Sequence, residues 1–449
     1  VDGVLDERGV AVKRPGLVEL ADLSANAIDG LFWWGQRGYA IAVASGTVYK
    51  LEYSNGVLSA TDITTVRLVP GARVSAAFAD YPTDSTYYAL LTNGDQIVYT
   101  DGTTATAQLT GTNVPAKASH LAYLDGYVLA NEYDTNRYKW SHATLVPLVW
   151  DNAGDYASAS GKGDFIKSLG VYNREIYLIG GETTEVWEND GTTPFSRVPG
   201  GFMEVGTIAP HSLVMTEQGV YFLSNDKRLM LTNGRDISRL STPYDSDIAT
   251  FPNPSDCISD KLTIRGIPYL IFHFVSAQKT LVYNEVQQNW SSWGNWNSDG
   301  DRWDRWLGNA VCACPDWNID IVGARNSGKI YRVSTDAYDD AGAEIRVLRR
   351  TGHIDYGVLK NKRSERMRIR LKRGFGGYTS EPKFMFRWRQ NNADWSPWEE
   401  FSLGLTGDSS IVLEINRRGI FRTRQYEFAC TASVPVSFID AEEDIEVLR

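Results

Sequence analysis

Leu31-Phe32-Trp33-Trp34, a turn over Gly35 to Gly38, Tyr39-Ala40-Ile41-Ala42-Val43-Ala44, a turn at Ser45-Gly46 and Thr47-Val48-Tyr49-Lys50-Leu51 form the stretch that decides the fold. Short apolar runs separated by glycine-bearing turns read as successive antiparallel strands, and Asn55-Gly56 starts a fourth. A four-stranded sheet of this size cannot bury both faces alone, so sheets like it must stack radially on one another. Outward from this unit its ending recurs at Val98-Tyr99, Trp140, Val186-Trp187, Met230-Leu231, Val282-Tyr283 and Ile330-Tyr331. The interval is about 40 to 50 residues, the period of a β-propeller. Asn93-Gly94, Asp101-Gly102, Asp125-Gly126, Asp190-Gly191 and Asn233-Gly234 supply hairpin turns between the repeats. The expectation is an all-β chain whose seven or so blades cover about residues 20–345. Tyr49, Tyr99, Trp140, Trp187, Tyr283 and Tyr331 then occupy equivalent places in their blades. Alternation along Glu185-Val186-Trp187 sends Trp187 to the face opposite Val186, between adjacent blades, and both Trp187 and Pro210 read as packing residues rather than ligands.

After Ile330-Tyr331 the period stops. Asp336 to Gly342 reads as a polar linker, and a strand-rich module of β-sandwich size follows, giving a propeller over 1–345 and a sandwich over 346–449. The charge changes with the pattern. Of a net −10, residues 345–449 carry 19 Lys and Arg against 14 Asp and Glu, which leaves −15 for residues 1–344. In the second module Met367, Ile369 and Leu371 alternate with Arg366, Arg368, Arg370 and Lys372, and Phe384, Phe386 and Trp388 alternate with Lys383, Arg387 and Arg389. If these two strands pair, Arg366, Arg368, Arg370, Arg387 and Arg389 crowd one face, which is either solvated or matched by an acidic protein partner. Leu413 to Ile415, Tyr426 to Phe428 and Val434 to Ile439 complete that sheet, and Ala441 to Leu448 reads as an acidic edge or tail.

Little in the chain points to chemistry. Its five histidines, His120, His142, His211, His273 and His353, are scattered without metal-ligand spacing and read as core or surface residues. There is no G-x-S-x-G elbow, P-loop or G-x-G-x-x-G; Gly200-Gly201 lies between strands with no helix after it, and Asp299-Gly300-Asp301 reads as a tight turn. Cys312 and Cys314 fall two apart on a strand, a spacing that strains a disulfide, and with Cys257 and Cys430 they read as reduced buried thiols suited to a reducing cytoplasm. Trp290, Trp293, Trp296, Trp303 and Trp306 could form a sugar-stacking platform, although packing is the commoner use of tryptophan. Asn392-Ala393-Asp394-Trp395-Ser396 is similar to the Asp-box turn of sialidase propellers but occurs once. The rival to a structural protein is thus a carbohydrate-binding or sialidase-like propeller. No apolar run approaches the roughly 18 residues that span a bilayer, and no leader opens the chain, so no membrane association is expected. The start at Val1 without methionine suggests residues upstream of it.

Several stretches resemble the packaged-DNA stabilisation, or tail hub (nozzle), proteins of P22-like short-tailed bacteriophages. They are Lys13-Arg14-Pro15-Gly16-Leu17; Ser168 to Gly181 running into Glu182-Thr183-Thr184-Glu185-Val186-Trp187; Gly206-Thr207-Ile208-Ala209-Pro210-His211-Ser212; and Gly219-Val220-Tyr221-Phe222-Leu223-Ser224. Arg239 to Thr242, Val282-Tyr283 to Trp290, Arg366 to Arg373, and Arg417-Arg418-Gly419 to Val434-Pro435-Val436 continue the likeness in order over nearly the whole chain. The resemblance implies a non-enzymatic virion protein with no catalytic residues and no cofactor, assembled in the bacterial host cytoplasm into the short tail. It implies a homo-oligomeric ring of six or so copies below the portal and its adaptor protein, with tail needle and tail fibre or spike proteins as neighbours. DNA would pass through its lumen without sequence-specific binding.

Overall fold

Ser45 and Gly46, Asn55 and Gly56, Asp125 and Gly126, and Arg265 and Gly266 each form a residue pair with both φ angles positive. That is the backbone of the two-residue hairpin turn whose twist matches its flanking strands. The computed structural model describes residues 1–5, 11–81, 85–142, 146–191, 194–373, 382–404 and 410–448. Its chain groups into two compact units, one of residues 19–280 with 307–332, the other of residues 1–18, 281–306 and 333–449.

The first unit carries the first strands of all seven blades of a propeller. Ile28–Trp34, Tyr39–Ala44, Thr47–Ser54 and Val57–Asp62 make the first sheet, in the order expected from the sequence. Equivalent sheets begin at Ser75–Tyr81, Leu121–Leu124, Ile166–Tyr172, Val214–Thr216, Cys257–Ile264 and Gly308–Cys314. These first strands are neighbours in sequence order, and Gly308–Cys314 returns to lie beside Ile28–Trp34. Between the fourth and fifth sheets the fit is tight enough that a Cβ on Gly170 would stand 2.1 Å from Met215 Cε. Each interblade layer is an apolar cluster drawn from two sheets, such as Trp34, Ile41 and Val43 against Ala89, Leu91 and Val98.

The seventh sheet is completed by the start of the chain. Residues 19–22 of the strand Gly16–Asp22 run beside Lys329–Ser334; Lys329 Nζ meets Glu19 Oε2 at 2.8 Å, and Leu23 N–H donates to the Gly328 carbonyl at 2.8 Å. This closure has no periodic signature, because one seven-residue strand far from its partners carries no repeat.

The recurring endings all lie in third strands. Tyr49, Tyr99, Trp140, Leu231 and Tyr331 pair with Ala42, Leu90, Leu129, Tyr221 and Val322, each the third residue from the end of its second strand. Tyr283 lies in the strand Lys279–Asn284. Trp187 departs from this register: it pairs with Ile176, while Glu185, opposite Leu178, takes the common position. Trp187 nonetheless packs between blades as expected, edge-on to Tyr138 of the third sheet at 5.7 Å, with its Nε1–H donated to Glu185 Oε2 at 3.0 Å. Gly200-Gly201 falls inside the strand Phe195–Met203 rather than between strands. There the ladder shifts register between Glu185 and Trp187, and a Cβ on Gly201 would meet Val186 Cβ at 2.9 Å.

The second unit contains a sandwich of two sheets. One has the order Gly3–Leu5, Ala11–Lys13, Val436–Val447, Lys362–Arg373, Ser410–Asn416; the other runs Val347–Arg350, Arg424–Cys430, Lys383–Gln390, Glu399–Ser402. Met367, Ile369 and Leu371 from the first sheet and Phe384, Phe386 and Phe428 from the second fill the space between them, the alternation expected from the sequence. Two expectations change. The division is not a cut at 345/346, since Ala11 and Val12 pair with Phe438 and Ser437 and so draw residues 1–18 to the C-terminal unit. The strands expected to form one sheet are split between two.

Arg14 ties this unit together. Wholly buried, it donates from Nε to Asp2 Oδ1 at 2.8 Å and from Nη1 and Nη2 to the two oxygens of Asp340 at 2.9 and 2.6 Å. Asp2 also accepts the Gly294 N–H at 2.9 Å and Trp303 Nε1–H at 3.1 Å, and the guanidinium stands 5.9 Å from the rings of both Trp293 and Trp306. Burial alone would lower the Arg14 pKa, but Asp340 and Asp2 on either side more than offset it and push it up. Asp336 to Gly342 is therefore a clamped segment: Asp340 holds Arg14 and pairs in register with Leu17, and a Cβ on Gly16 would lie 2.2 Å from the Asp339 carbonyl oxygen.

Two outcomes follow from this packing. Trp187→Ala should destabilise the propeller by about 2–3 kcal/mol in denaturant unfolding, below the 3–5 typical of a fully buried tryptophan because the ring is half-exposed. Arg14→Ala leaves two buried carboxylates without their cation and should cost about 3–5 kcal/mol in tryptophan-monitored unfolding; Arg14→Lys, lacking the fork, should recover only part of it.

Candidate functional site

Strands Lys362–Arg373 and Lys383–Gln390 lie in different sheets, so the five arginines do not share a face. Arg366, Arg368 and Arg370 stand opposite Asp444, Glu442 and Asp440 of the final strand. Arg370 Nε donates to Asp440 at 2.6 Å, Arg366 Nη2 lies 3.0 Å from Asp444, and Arg368 reaches Glu414, Glu442 and Asp444 at 3.4, 3.4 and 3.7 Å. The residues expected as an acidic edge or tail form, among the described residues, a strand edge paired only with Lys362–Arg373, and they supply the countercharge, which sheet pairing rewards. The side chain of Lys372 lies outside the described residues.

Arg387 and Arg389 sit on the outer face of the other sheet. Arg387 Nε and Arg350 Nε each donate at 2.5 Å to Glu427, whose side chain is wholly buried beneath them. Arg389 Nε donates to the neutral Gln425 at 2.5 Å. Trp395 lies 4.9–5.2 Å from the guanidiniums of Arg389, Arg387 and Arg350, while Trp398 lies 4.2 Å from Arg387 and 5.2 Å from Arg346. Indole faces hold these planar cations flat and desolvate them on one side. Burial lowers the pKa of Arg346, which stacks on Trp296 at 4.1 Å. Among the described residues neither Arg346 nor Arg389 has a carboxylate within ion-pair distance.

A second constellation escaped the sequence reading altogether. Arg73, at the entry to the second blade, donates to Asp260 Oδ1 of the sixth at 2.6 Å and to the Asn309 carbonyl of the seventh at 2.5 Å. The second and sixth blades are not neighbours in a ring of seven, so this contact crosses the propeller axis. His120 of the third blade stacks on His211 at the entry to the fifth, with ring centroids 4.8 Å apart and planes at 24°. The Pro210 carbonyl, 3.0 Å from His120 Nε2, can only accept, so Nε2 carries the proton and Nδ1 accepts from the Ser119 hydroxyl at 2.9 Å. Pro210 therefore contributes a backbone acceptor as well as packing. Burial lowers the pKa of His120 to about 4 and that of His211 well below its usual value, the latter further through His120 and Arg73. His273, also buried, has its Nε2 3.9 Å from Asp260 Oδ2. A plug of side chains thus meets across the axis at this level. Its members lie far apart in sequence, and only the shared position of Arg73, His120 and His211 at the entry to first strands could have signalled them.

The other candidates are structural. Trp293 and Trp306 are buried edge-to-face at 5.2 Å and present no free face to a sugar, and Trp296 and Trp303 pack on one another at 4.4 Å. Cys312 and Cys314 are buried thiols whose sulfurs lie 4.0 Å apart. Asp299 to Asp301 lies in a turn whose Gly300 N–H donates to Asn297 Oδ1 at 3.1 Å.

Compared with known proteins, residues 2–338 match the family model described as Bacteriophage P22 Gp10, beta-propeller. No curated protein matches. Among solved structures, the computationally designed Ika8 protein aligns at a TM-score of 0.38 with 13% identity, covering 71% of this chain and 100% of its own. A streptogramin B lyase aligns at 0.45 with 9% identity, covering 71% and 96%, and the N-terminal domain of Nup159 at 0.41 with 9% identity, covering 72% and 95%.

The axial plug should make the propeller acid-sensitive. A histidine whose folded pKa lies below its unfolded value of about 6.5 takes up its proton more readily when unfolded, so its contribution to stability is complete above that value and lost as pH falls towards 4. His120 alone should account for about 3 kcal/mol of this loss. Urea unfolding at pH 7, 5.5 and 4.5 should show the decline, and His120→Asn with His211→Asn should flatten it; an equally steep decline in the double variant would assign the effect elsewhere.

Proposed function

The chain belongs to the Bacteriophage P22 Gp10 β-propeller family of phage structural proteins in DNA stabilisation, and from that membership we propose that it is a short-tail hub, or nozzle, protein. In this reading about six copies form a ring that extends the portal–adaptor channel and helps retain the packaged genome in the virion. The adaptor, the tail needle and the tail fibres or spikes are its neighbours, and assembly takes place in the host cytoplasm.

The match over residues 2–338 carries the reading, and two features support it. Arg73, Asp260, His120 and His211 cross the propeller axis, so each propeller acts as a solid wall element and the DNA path must run outside it, between subunits. The −15 balance of residues 1–344 suits a wall that does not grip phosphate, since a basic lining would hold DNA by counterion release. The carbohydrate-binding alternative loses its platform to the burial of Trp293 and Trp306.

Particles assembled without this protein should package DNA and then lose it, sedimenting as empty capsids, and purified protein added before the loss should restore filled, infectious particles. Particles that keep full-length DNA and infect without it would refute the proposal.

A further inference from the structure

The two outer faces of the sandwich carry opposite imbalances of charge. On the face of Lys362–Arg373, the guanidinium of Arg368 meets three carboxylates, Glu414, Glu442 and Asp444, and shares Glu414 and Asp444 with Arg366 alone. Glu442 is 73% exposed and meets only Arg368, at 3.4 Å. With Glu365, Asp440 and Glu446 against Arg363, Arg366 and Arg370, the described acids of this face outnumber its bases. On the face of Lys383–Gln390 the relation inverts. There a single carboxylate, Glu427, serves Arg350 and Arg387, while Arg346 and Arg389 stack on tryptophans without an acid partner.

Neither surplus is satisfied within the chain, and each has what the other lacks. Arg389 is held on Trp395 at 4.9 Å with only Gln425 as hydrogen-bond partner, which leaves much of its donor fork unused. Glu414 and Glu442 retain acceptor capacity for such forks. The two surfaces lie on opposite sides of one sandwich, so a contact between them cannot be self-complementary about a two-fold axis. It joins the front of one copy to the back of the next, the heterologous geometry that generates rings.

We propose that the arginine–tryptophan face formed by Arg350, Arg387 and Arg389 docks on the carboxylate-rich face of a second copy of this chain, through Glu414 and Glu442, and that this contact repeats head to tail around the ring. The inference rests on the ring reading above and adds its surfaces and polarity. Arginine forks on carboxylates fix orientation, and the like-charge penalty of front-to-front docking excludes the two-fold dimer.

The test uses Arg389→Glu, Glu442→Arg and their combination in the full chain, with particle mass measured across protein concentration and salt. Neither single change removes a partner of buried Glu427, and matching melting curves would confirm that the variants fold. Wild-type protein should form rings that weaken with added salt, each single variant should need at least about tenfold more protein to assemble, and the double variant should regain assembly. Wild type that remains monomeric at every concentration would overturn the ring reading and this inference with it. Rings in wild type and single variants alike, or a double variant no better than the singles, would overturn the face-to-face pairing alone.

Discussion

A ring of stacked sheets has exposed edges until its last sheet is completed, and in this chain the completing strand comes from the opposite end of the sequence. Residues 19–22 beside Lys329–Ser334 complete the seventh sheet, whose first strand lies beside Ile28–Trp34, so that every blade has two neighbours. The fit leaves little freedom. At Gly328 a Cβ would lie 2.5 Å from the Ala25 nitrogen, so the residue that receives the Leu23 N–H must be glycine. Because more than 300 residues separate the paired strands, closure is a non-local contact that carries a loop-closure cost the apolar layers between blades help to offset.

Buried charge does related work in the C-terminal unit. Arg14 with Asp2 and Asp340 fastens positions some 326 residues apart with one bidentate and one single ion pair. An ion triad is an expensive way to gain stability, but it is directional, and a planar fork admits one arrangement of its partners where apolar packing would tolerate several. The outer faces follow the same logic under looser constraint. Arg366, Arg368 and Arg370 are matched by carboxylates across the ladder, whereas Arg389 is held by an indole face and a neutral amide.

Much of the propeller was legible because its signal is local and repeated. The endings at Tyr49, Tyr99, Trp140 and Tyr331 predict third strands, and five such positions share one register. Trp187 falls two residues out of step in a ladder with the second strand that is itself regular, and an apolar ending in the sequence does not record how far along the strand it lies from the turn. The sandwich was half legible. Inward and outward residues of 366–371 and 384–389 were readable from period-two alternation, but which strands pair was not, so two arginine rows in different sheets looked like one and the pairing of the acidic edge with the first row went unread. The three-residue strands Gly3–Leu5 and Ala11–Lys13 are too short for any periodicity. His120 and His211, 91 positions apart, meet only because first strands converge on the axis, a consequence of ring closure rather than of any local pattern.

The central claim is that each propeller is a closed, plugged wall element and that any DNA path lies outside it. A cryo-EM map of DNA-filled particles tests this most directly. It should show DNA density bounded by the outer surfaces of several copies, with side-chain density for Arg73, His120 and His211 across every propeller axis. DNA density, or an open solvent channel, running through the propeller axis would contradict the account.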